Sequence, residues 1–185
     1  MTGKRIHLIS GPRNISTALM YSFGNRSDTG IVDEPLYAYY LNKYPEIIHP
    51  GREDILKSQS INFDQVLKDV FFREYQTQNV FIKNMAHHLI DTDWTFLEHF
   101  TQVFLIRNPA QLISSFAQVI PNPTMQDIGL KLEYKLFNHC LSLGQQPIVL
   151  DSNEVLKTPE LVLSELCAQI DIPFDASMLK WDAGP

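Results

Sequence analysis

The 185 residues, 44% of them hydrophobic and 19% charged, are enough for one domain with a sizeable core. The net charge of −6 and the lack of a basic face argue against nucleic acid as a partner, and no run approaches the ~20 apolar residues that span a membrane. Two cysteines without a secretory signal indicate a reducing compartment, so we expect a cytoplasmic domain, provided that the chain starts here naturally.

Strands and helices alternate along the chain. Five apolar runs of strand length lie at residues 6–9, 31–32, 79–83, 102–107 and 147–151. Helical patterns lie at residues 15–23, 36–41, 62–76, 91–100, 109–120, 124–143 and 160–170, and residues 45–51 are predicted to be irregular. The alternation predicts an α/β fold, a three-layer sandwich with a mainly parallel five-stranded sheet, in a single domain over residues 1–185.

Ligands of such sheets bind outside the carboxyl ends of the strands, so residues directly after each strand are the functional candidates. Those with suitable chemistry are Arg13, Glu34, Lys83, His87, His88, Arg107 and Asp151. Three other side chains are expected to be buried without a role there: Cys140 and Cys167 as free thiols, and His7 as a hydrogen-bonded core histidine.

The first strand leads into the loop Ser10-Gly11-Pro12-Arg13-Asn14, and a helix follows. Strand, glycine-containing loop and helix form the layout of a phosphate-binding loop, because the N–H groups and the dipole at a helix N-terminus favour an anion. Ser16 and Thr17 add hydroxyl groups, and Arg13 adds a cation. The alternative is an ordinary turn, capped by Asn14 or Ser16.

The loop differs from the Walker A motif of ATP- and GTP-hydrolysing proteins, G-x-x-x-x-G-K-[ST]. Counting from Gly11, Ser16 takes the place of the second glycine, Thr17 that of the lysine and Ala18 that of the hydroxyl residue that binds Mg²⁺. The sequence therefore argues against Mg²⁺-dependent hydrolysis and favours an anion that needs no metal.

Residues 12–17 resemble the 5′-phosphosulfate loop of the sulfotransferases, Pro-Lys/Arg-Ser-Gly-[Ser/Thr]-Thr, at four of six positions. Asn14 replaces a serine. Ile15 replaces the glycine, and a β-branched residue limits both backbone freedom and the approach of a ligand.

A second segment carries the same resemblance. Arg107, Pro109 and Ser115 follow the fourth strand with the spacing Arg-x-Pro-x₅-Ser of the sulfotransferase 3′-phosphate site. A guanidinium binds phosphate through two parallel hydrogen bonds, and the serine hydroxyl would complete the contact. The alternative is an arginine paired with a carboxylate and a serine facing solvent.

Two further strand ends resemble the family. Lys83 matches the lysine of a Lys-Thr-His segment, although the histidines His87 and His88 lie later than in that segment. Glu34, before Pro35, matches a Glu-Pro whose glutamate is the base of the carbohydrate branch. Alternatively, Glu34 caps the next segment and Lys83 pairs with Asp33 or Glu34. The base stays open between Glu34, His87 and His88.

The resemblance implies a sulfotransferase with a P-loop nucleoside-triphosphate-hydrolase-like fold. Its co-substrate would be 3′-phosphoadenosine-5′-phosphosulfate (PAPS), and it would transfer the sulfuryl group to a hydroxyl or amine of a small-molecule acceptor without a metal. Arg13, Lys83, Ser16 and Thr17 would stabilise charge, and Arg107 and Ser115 would select the 3′-phosphate. The chain looks similar to an uncharacterised bacterial sulfotransferase-like branch. Further chain follows residues 180–185 there, which leaves open whether a C-terminal segment is lacking.

Two alternatives remain open: an inactive nucleotide-binding or regulatory module of the same fold, and a small-molecule kinase, against which Ala18 argues. His87 and His88 with Asp91 and Asp93 match no known metal-ligand spacing, so no metal is expected. The aromatic residues 37–40 and Trp94 suggest a partly apolar acceptor pocket. The oligomeric state is not predicted.

Overall fold

Five parallel strands form one sheet in a computed structural model of the chain, which describes residues 3–47, 49, 51–118 and 124–180. The strands are Arg5–Ser10 (β1), Thr29–Asp33 (β2), Asn79–Met85 (β3), Thr101–Ile106 (β4) and Ile148–Asp151 (β5). The order across the sheet is β2-β3-β1-β4-β5, and every adjacent pair is parallel. The predicted fold class and all five predicted strands are confirmed.

The strand register brings the loops that follow the strands to one edge of the sheet. Ser10, the last residue of β1, lies opposite Met85 on one side and Leu105 on the other. Asp33 at the end of β2 lies opposite Lys83. The central loop after β1 is therefore flanked by the ends of β3 and β4, about 5 Å away on either side, the usual spacing of neighbouring strands.

Nine α-helices were assigned within the described residues. They are Ser16–Gly24 (α1), Tyr37–Lys43 (α2), Arg52–Ser58 (α3), Phe63–Val66 (α4), Pro109–Ala117 (α5), Met125–Ile128 (α6), Leu130–Ser142 (α7), Ser152–Lys157 (α8) and Pro159–Gln169 (α9). A π-helical turn at Leu67–Phe71 follows α4, and 3₁₀ segments lie at Ala86–Leu89, Thr95–His99 and Ala176–Leu179. No helix among them is long and apolar enough to cross a bilayer.

Successive side chains of a strand point to opposite faces of the sheet, so the strands contribute to two apolar layers, one on each face. Ile6 and Leu8 pack with α1 and α9 on one face, where the rings of Phe23 and Phe81 stack at 4.2 Å. Ile9 packs on the opposite face with residues that include Phe71, Phe96 and Leu136.

The three side chains expected in the core are buried. Cys140 and Cys167 are free thiols. The ring nitrogens of His7 lie 3.0 Å from Oε1 of Gln102 and 3.0 Å from Nδ2 of Asn84, and burial lowers the pKa of His7 to about 4. The histidine is thus a neutral, hydrogen-bonded core residue, as predicted.

Two helices were missed by the sequence patterns. α3 begins directly after Gly51, which has a φ of 77° at the helix start, and none of its residues is buried, so it carries no apolar stripe. α8 is six residues long, and Asp151 begins it by accepting a hydrogen bond from the backbone N–H of Asn153 at 2.7 Å. Asp151, predicted as a functional candidate, is instead a helix cap.

Three predicted helices have different bounds. The helix at 62–76 is capped by Asn62, as expected, but ends in the π-helical turn at Phe71. The predicted helix at 91–100 is wrong: the chain forms only the 3₁₀ segment Thr95–His99, whose first N–H is bound by Asp93. The predicted helix at 124–143 is broken at Gly129, where φ is 74°. Pro121, Pro123 and most of the segment 180–185 lie outside the described residues.

Candidate active site

The loop after β1 has an unusual backbone. Arg13 and Ile15 adopt left-handed conformations with φ of 57° and 48°. Such a conformation costs roughly 1–2 kcal/mol for a residue with a Cβ, and such strain concentrates at functional sites. Ile15 therefore keeps the backbone shape that a glycine would adopt freely, although it is β-branched.

Neither Asn14 nor Ser16 caps the helix after the loop, in contrast to the capped turn considered as the alternative. Ile15 occupies the cap position of α1, and among the described residues no side chain bonds to the first N–H groups of the helix. Asn14 is buried and donates its amide to the carbonyl oxygen of Leu105 at the end of β4. Ser16 is buried in the first turn of α1, and Thr17 beside it is exposed. The loop is thus tied to β4, and the helix N-terminus is left without a side-chain cap.

Gly11 lies where the loop meets the following layer of helices, and Pro12 beside it is half-buried. A Cβ on Gly11 would stand 3.1 Å from the carbonyl oxygen of Ile128 and 3.7 Å from Oε2 of Glu133. The position therefore favours glycine, because a larger side chain would crowd the backbone of Ile128. It also identifies Glu133 as a neighbour of the loop that the sequence patterns did not single out.

Glu133 is a buried carboxyl group. It is 4% exposed, and neither of its oxygen atoms has a hydrogen-bond partner in the part of the chain that the structure describes. Burial raises the pKa of Glu133 to about 8, so the side chain is mainly protonated at neutral pH. The sequence signal that could have found it is its place on the buried stripe of α7. Leu136 follows Glu133 by three residues, and Cys140 follows Leu136 by four, which is the spacing of one helix face.

The two predicted phosphate segments meet. Arg13 Nε lies 3.3 Å from Oγ of Ser115 on α5, and Arg107 Nη1 donates to the backbone oxygen of Arg13 at 2.6 Å. Neither guanidinium forms an ion pair with a carboxylate within the described residues. An open cavity of about 590 Å³ beside them is lined by Arg107, Ser114 and Ser115, among others. Two guanidinium groups and a hydroxyl therefore converge on the β4 side of the loop.

The opposite side of the loop holds a carboxylate cluster. Lys83 on β3 is 1% exposed, and its Nζ lies 2.7 Å from Oδ1 of Asp33 and 2.5 Å from Oε1 of Glu34. Lys83 therefore forms ion pairs with both Asp33 and Glu34, the two partners that the sequence offered for it. Glu34 has a φ of 46°, and its backbone N–H donates to the oxygen of Lys83 at 2.8 Å. The strand pairing and the ion pair together hold Glu34 in this strained conformation.

The adjacent histidines differ in their surroundings. His88 is buried, its ring stacks on Tyr37 at 4.5 Å, and Nε2 lies 4.0 Å from Oε2 of Glu34. Burial, together with the charge of Lys83, holds the pKa of His88 well below its usual range. His87 is half-buried against Tyr40, with ring centroids 5.0 Å apart, and burial lowers its pKa to about 4. Both rings are neutral at physiological pH.

Two further cavities adjoin these groups. A cavity of about 830 Å³ with mainly apolar walls borders the loop at Ile15 and Ala18 and extends toward α8 and α9. A second cavity, of about 450 Å³, lies between α2 and α7, and Tyr40, His87 and Trp94 line it. The structure thus brings Tyr40 and Trp94 together, as the sequence suggested. Within the described residues, no group of three or more His, Cys, Asp or Glu side chains could hold a metal ion.

Comparison with known proteins decides the family. Residues 4–185 match the model of the family described as "Sulfotransferase domain". The chain belongs to the sulfotransferase-domain family. The resemblance carried by residues 12–17 and 107–115 is thereby confirmed at the level of the family.

The chain is also similar to curated plant proteins that carry a different kind of name. The chain is 38% identical over 181 residues to "Branched-chain-amino-acid aminotransferase-like protein 1" of Arabidopsis thaliana. This alignment covers 97% of this chain and 32% of that protein. The chain thus spans about a third of the length of the curated relatives it matches.

Solved structures share the fold of this sulfotransferase-domain chain. The "Sulfotransferase Domain from the Curacin Biosynthetic Pathway" aligns with a TM-score of 0.57 and 17% identity, over 97% of this chain and 77% of that one. Mouse sulfotransferase SULT7A1 complexed with PAP aligns with a TM-score of 0.51 and 15% identity, over 95% of this chain and 61% of that one. At these identities the likeness concerns the fold alone.

Proposed function

We propose that this domain binds PAPS and transfers its sulfuryl group to a hydroxyl or amine of a small-molecule acceptor. The observation that carries the proposal is the meeting of Arg13, Arg107 and Ser115 beside a strained loop at the centre of the sheet edge. Membership of the sulfotransferase-domain family supports it, as does the PAP complex of a protein with the same fold.

The donor fits this edge in a defined orientation. Arg107 and Ser115 would bind the 3′-phosphate on the β4 side, and the N–H groups at the start of α1 would bind the 5′-phosphosulfate above β1. The apolar cavity bordered by Ile15 and Ala18 is large enough for the adenine base. The sulfuryl group would then face β3, the side on which Glu34 and Lys83 lie.

Transfer requires that one bond break and one form. The bond between sulfur and the bridging phosphate oxygen breaks, and a new bond forms between sulfur and the acceptor oxygen or nitrogen. The acceptor proton goes to a base, and 3′-phosphoadenosine-5′-phosphate (PAP) leaves. The loop N–H groups and Arg13 would stabilise the charge that develops on the leaving phosphate.

Glu34 suits the role of the base better than His88. The Glu34 side chain is 16% exposed, whereas that of His88 is 1% exposed. An imidazole whose pKa lies well below its usual range takes up a proton poorly. Lys83 would orient Glu34 through their ion pair, and His88 would support its second oxygen.

A second candidate is a domain that binds the nucleotide without catalysis. The specific observation in its favour is that Lys83 is engaged by two carboxylates, which leaves it less available to a sulfate. The two candidates share the donor site and differ only in turnover.

Isothermal titration of the 185-residue chain with PAP and with AMP tests the donor site. We expect PAP to bind at least tenfold more tightly, because only PAP carries the 3′-phosphate. Titration with ATP and Mg²⁺ serves as the control for a kinase. Equal affinities for PAP and AMP would refute the proposal. Incubation with PAPS and a panel of alcohols and amines then separates the two candidates by the release of PAP.

A further inference from the structure

We propose that the acceptor is a small molecule with an aromatic or apolar body and one anionic substituent, bound in the cavity between α2 and α7. This inference rests on the proposed transferase function and names its substrate class. The cavity measures about 450 Å³, which suits a molecule of one or two rings.

The walls of the cavity are flat and uncharged. Tyr40, His87 and Trp94 present rings, and Ile90 and Leu132 add aliphatic surface. The indole N–H of Trp94 donates to the backbone oxygen of Leu89 at 2.8 Å, so that side chain offers only its ring to a ligand. Burial raises the pKa of Tyr40 to about 12 and lowers that of His87 to about 4, so both rings are neutral at physiological pH. Such walls favour an apolar or aromatic body.

The rim of the same cavity carries two lysine side chains. Lys131 and Lys135 line it one helical turn apart on α7, and neither forms an ion pair in the part of the chain that the structure describes. Asp91 is the acidic residue in the lining, and it is already engaged by Tyr44 Oη at 2.8 Å and by Lys43 at 3.7 Å.

Two further carboxylates, those of Asp127 and Glu46, lie near the lining ring of Tyr40. Asp127 precedes α7, and its Oδ2 accepts hydrogen bonds from the backbone N–H and the hydroxyl of Thr124 at 2.8 and 2.7 Å. The negative charge of Asp127 lies near the ring of His87, because it acts to raise the pKa of His87. The lowering by burial is the larger of the two effects. Among the described residues, neither Asp127 nor Glu46 forms an ion pair with Lys131 or Lys135, so both ammonium groups are available to a ligand.

The cavity stands one layer of rings away from the base. Tyr40 and His87 contact the ring of His88 at centroid distances of 5.2 and 4.6 Å, and His88 lies against Glu34. A ligand whose anionic group meets Lys131 and Lys135 would turn its other end toward these rings. Its hydroxyl group and its anionic group therefore belong at opposite ends of the body.

Two probes of equal shape test whether the ligand must carry a negative charge. The chain saturated with PAP is titrated with 3-(4-hydroxyphenyl)propionate and with the corresponding primary amide, which lacks the negative charge. We expect the carboxylate to bind at least tenfold more tightly, with a preference that shrinks as salt is added. The double variant Lys131→Met and Lys135→Met should bind both probes equally. The matched control, Lys57→Met and Lys68→Met, removes two exposed lysines away from the cavity and should keep the preference.

Each result separates this inference from the proposed function. If PAP binds and the two probes bind equally, or neither binds, the anionic acceptor is refuted and the donor site stands. A preference that persists in the double variant refutes the role of Lys131 and Lys135. If the unaltered chain does not bind PAP, the proposed function fails, and this inference fails with it.

Discussion

The ammonium group of Lys83 lies 2.5 Å from Oε1 of Glu34 while also contacting Asp33 at 2.7 Å, so one buried cation holds two carboxylates. Lys83 is 1% exposed, and a buried charge of this kind is strongly destabilising unless it is paired. The pair therefore fixes the position of Glu34, whose other carboxylate oxygen faces His88 at 4.0 Å. Lys83 and His88 together therefore orient the carboxylate of Glu34.

The first prediction follows from that orientation. Glu34→Gln should lower sulfuryl transfer by roughly 10²–10⁴-fold, the usual contribution of a positioned base, because an amide keeps the shape and loses the basicity. PAP affinity should stay unchanged, since Glu34 lies on the side of the loop away from Arg107. The measurements are the rate of PAP release from PAPS with an acceptor in excess, and titration with PAP.

Asp33→Asn is the matched control for this substitution. Asp33 shares the same lysine but its side chain is 52% exposed, so the variant should keep most of the activity. Full activity in Glu34→Gln, with loss in His87→Asn or His88→Asn, would instead assign the base to a histidine.

The second prediction concerns Arg107. Arg107→Ala should weaken PAP binding by roughly 1.5–3 kcal/mol, the value of a charge-assisted hydrogen bond, and should weaken AMP binding less. Some loss for AMP is expected as well, because Arg107 also binds the backbone oxygen of Arg13 in the loop. Arg73→Ala, which removes an exposed arginine outside that cavity, is the control. Equal losses for both nucleotides would mean that Arg107 only supports the loop.

The order of the elements made the position of this site predictable from the sequence. Parallel strands place their carboxyl ends at one edge, so Arg13, Glu34, Lys83 and Arg107 had to lie near one another once the strands were recognised. The direction of each side chain was not predictable, because it depends on contacts between distant segments. Arg13 shows this: its guanidinium lies against Ser115, 102 residues away.

Features without a periodic signal escaped the sequence patterns for other reasons. α3 has no buried residue, and α8 is one and a half turns long, so neither has an apolar stripe to recognise. The break at Gly129 depends on a single left-handed residue inside an otherwise continuous helical pattern. Glu133 follows that break, and although its position matches the buried stripe of α7, a carboxyl group there gives no apolar signal.

The third prediction tests the strain at Ile15. Ile15→Gly and Ile15→Ala both remove the side chain that packs on the core, but only glycine adopts a φ of 48° without strain. Glycine should therefore give the more stable variant by about 1 kcal/mol, measured as the free energy of unfolding in urea. At Ala18, inside α1, the order should reverse, because glycine in a helix costs about 0.5–1 kcal/mol relative to alanine. If alanine is the better residue at both positions, the loop is not strained.

The fourth prediction concerns Glu133 and pH. Burial raises its pKa from 4.5 to about 8, so between these values the folded chain holds a proton that the unfolded chain has released. The contribution to stability is fully present below pH 4.5 and is lost as pH rises through about 8. Within that window the loss is at most roughly 1.4 kcal/mol for each pH unit.

Glu133→Gln should remove this slope, because an amide does not titrate. The free energy of unfolding of the unaltered chain minus that of the variant should fall as pH rises from 5 to 8.5, whatever constant cost the buried amide adds. The difference also cancels His7, whose pKa burial lowers to about 4 and which therefore titrates in both proteins alike. Glu165→Gln, at an exposed position on α9, should leave the pH dependence unchanged. A difference that stays constant with pH would show that Glu133 is ionised in the folded chain, with a negative charge beside the loop proposed to bind the donor.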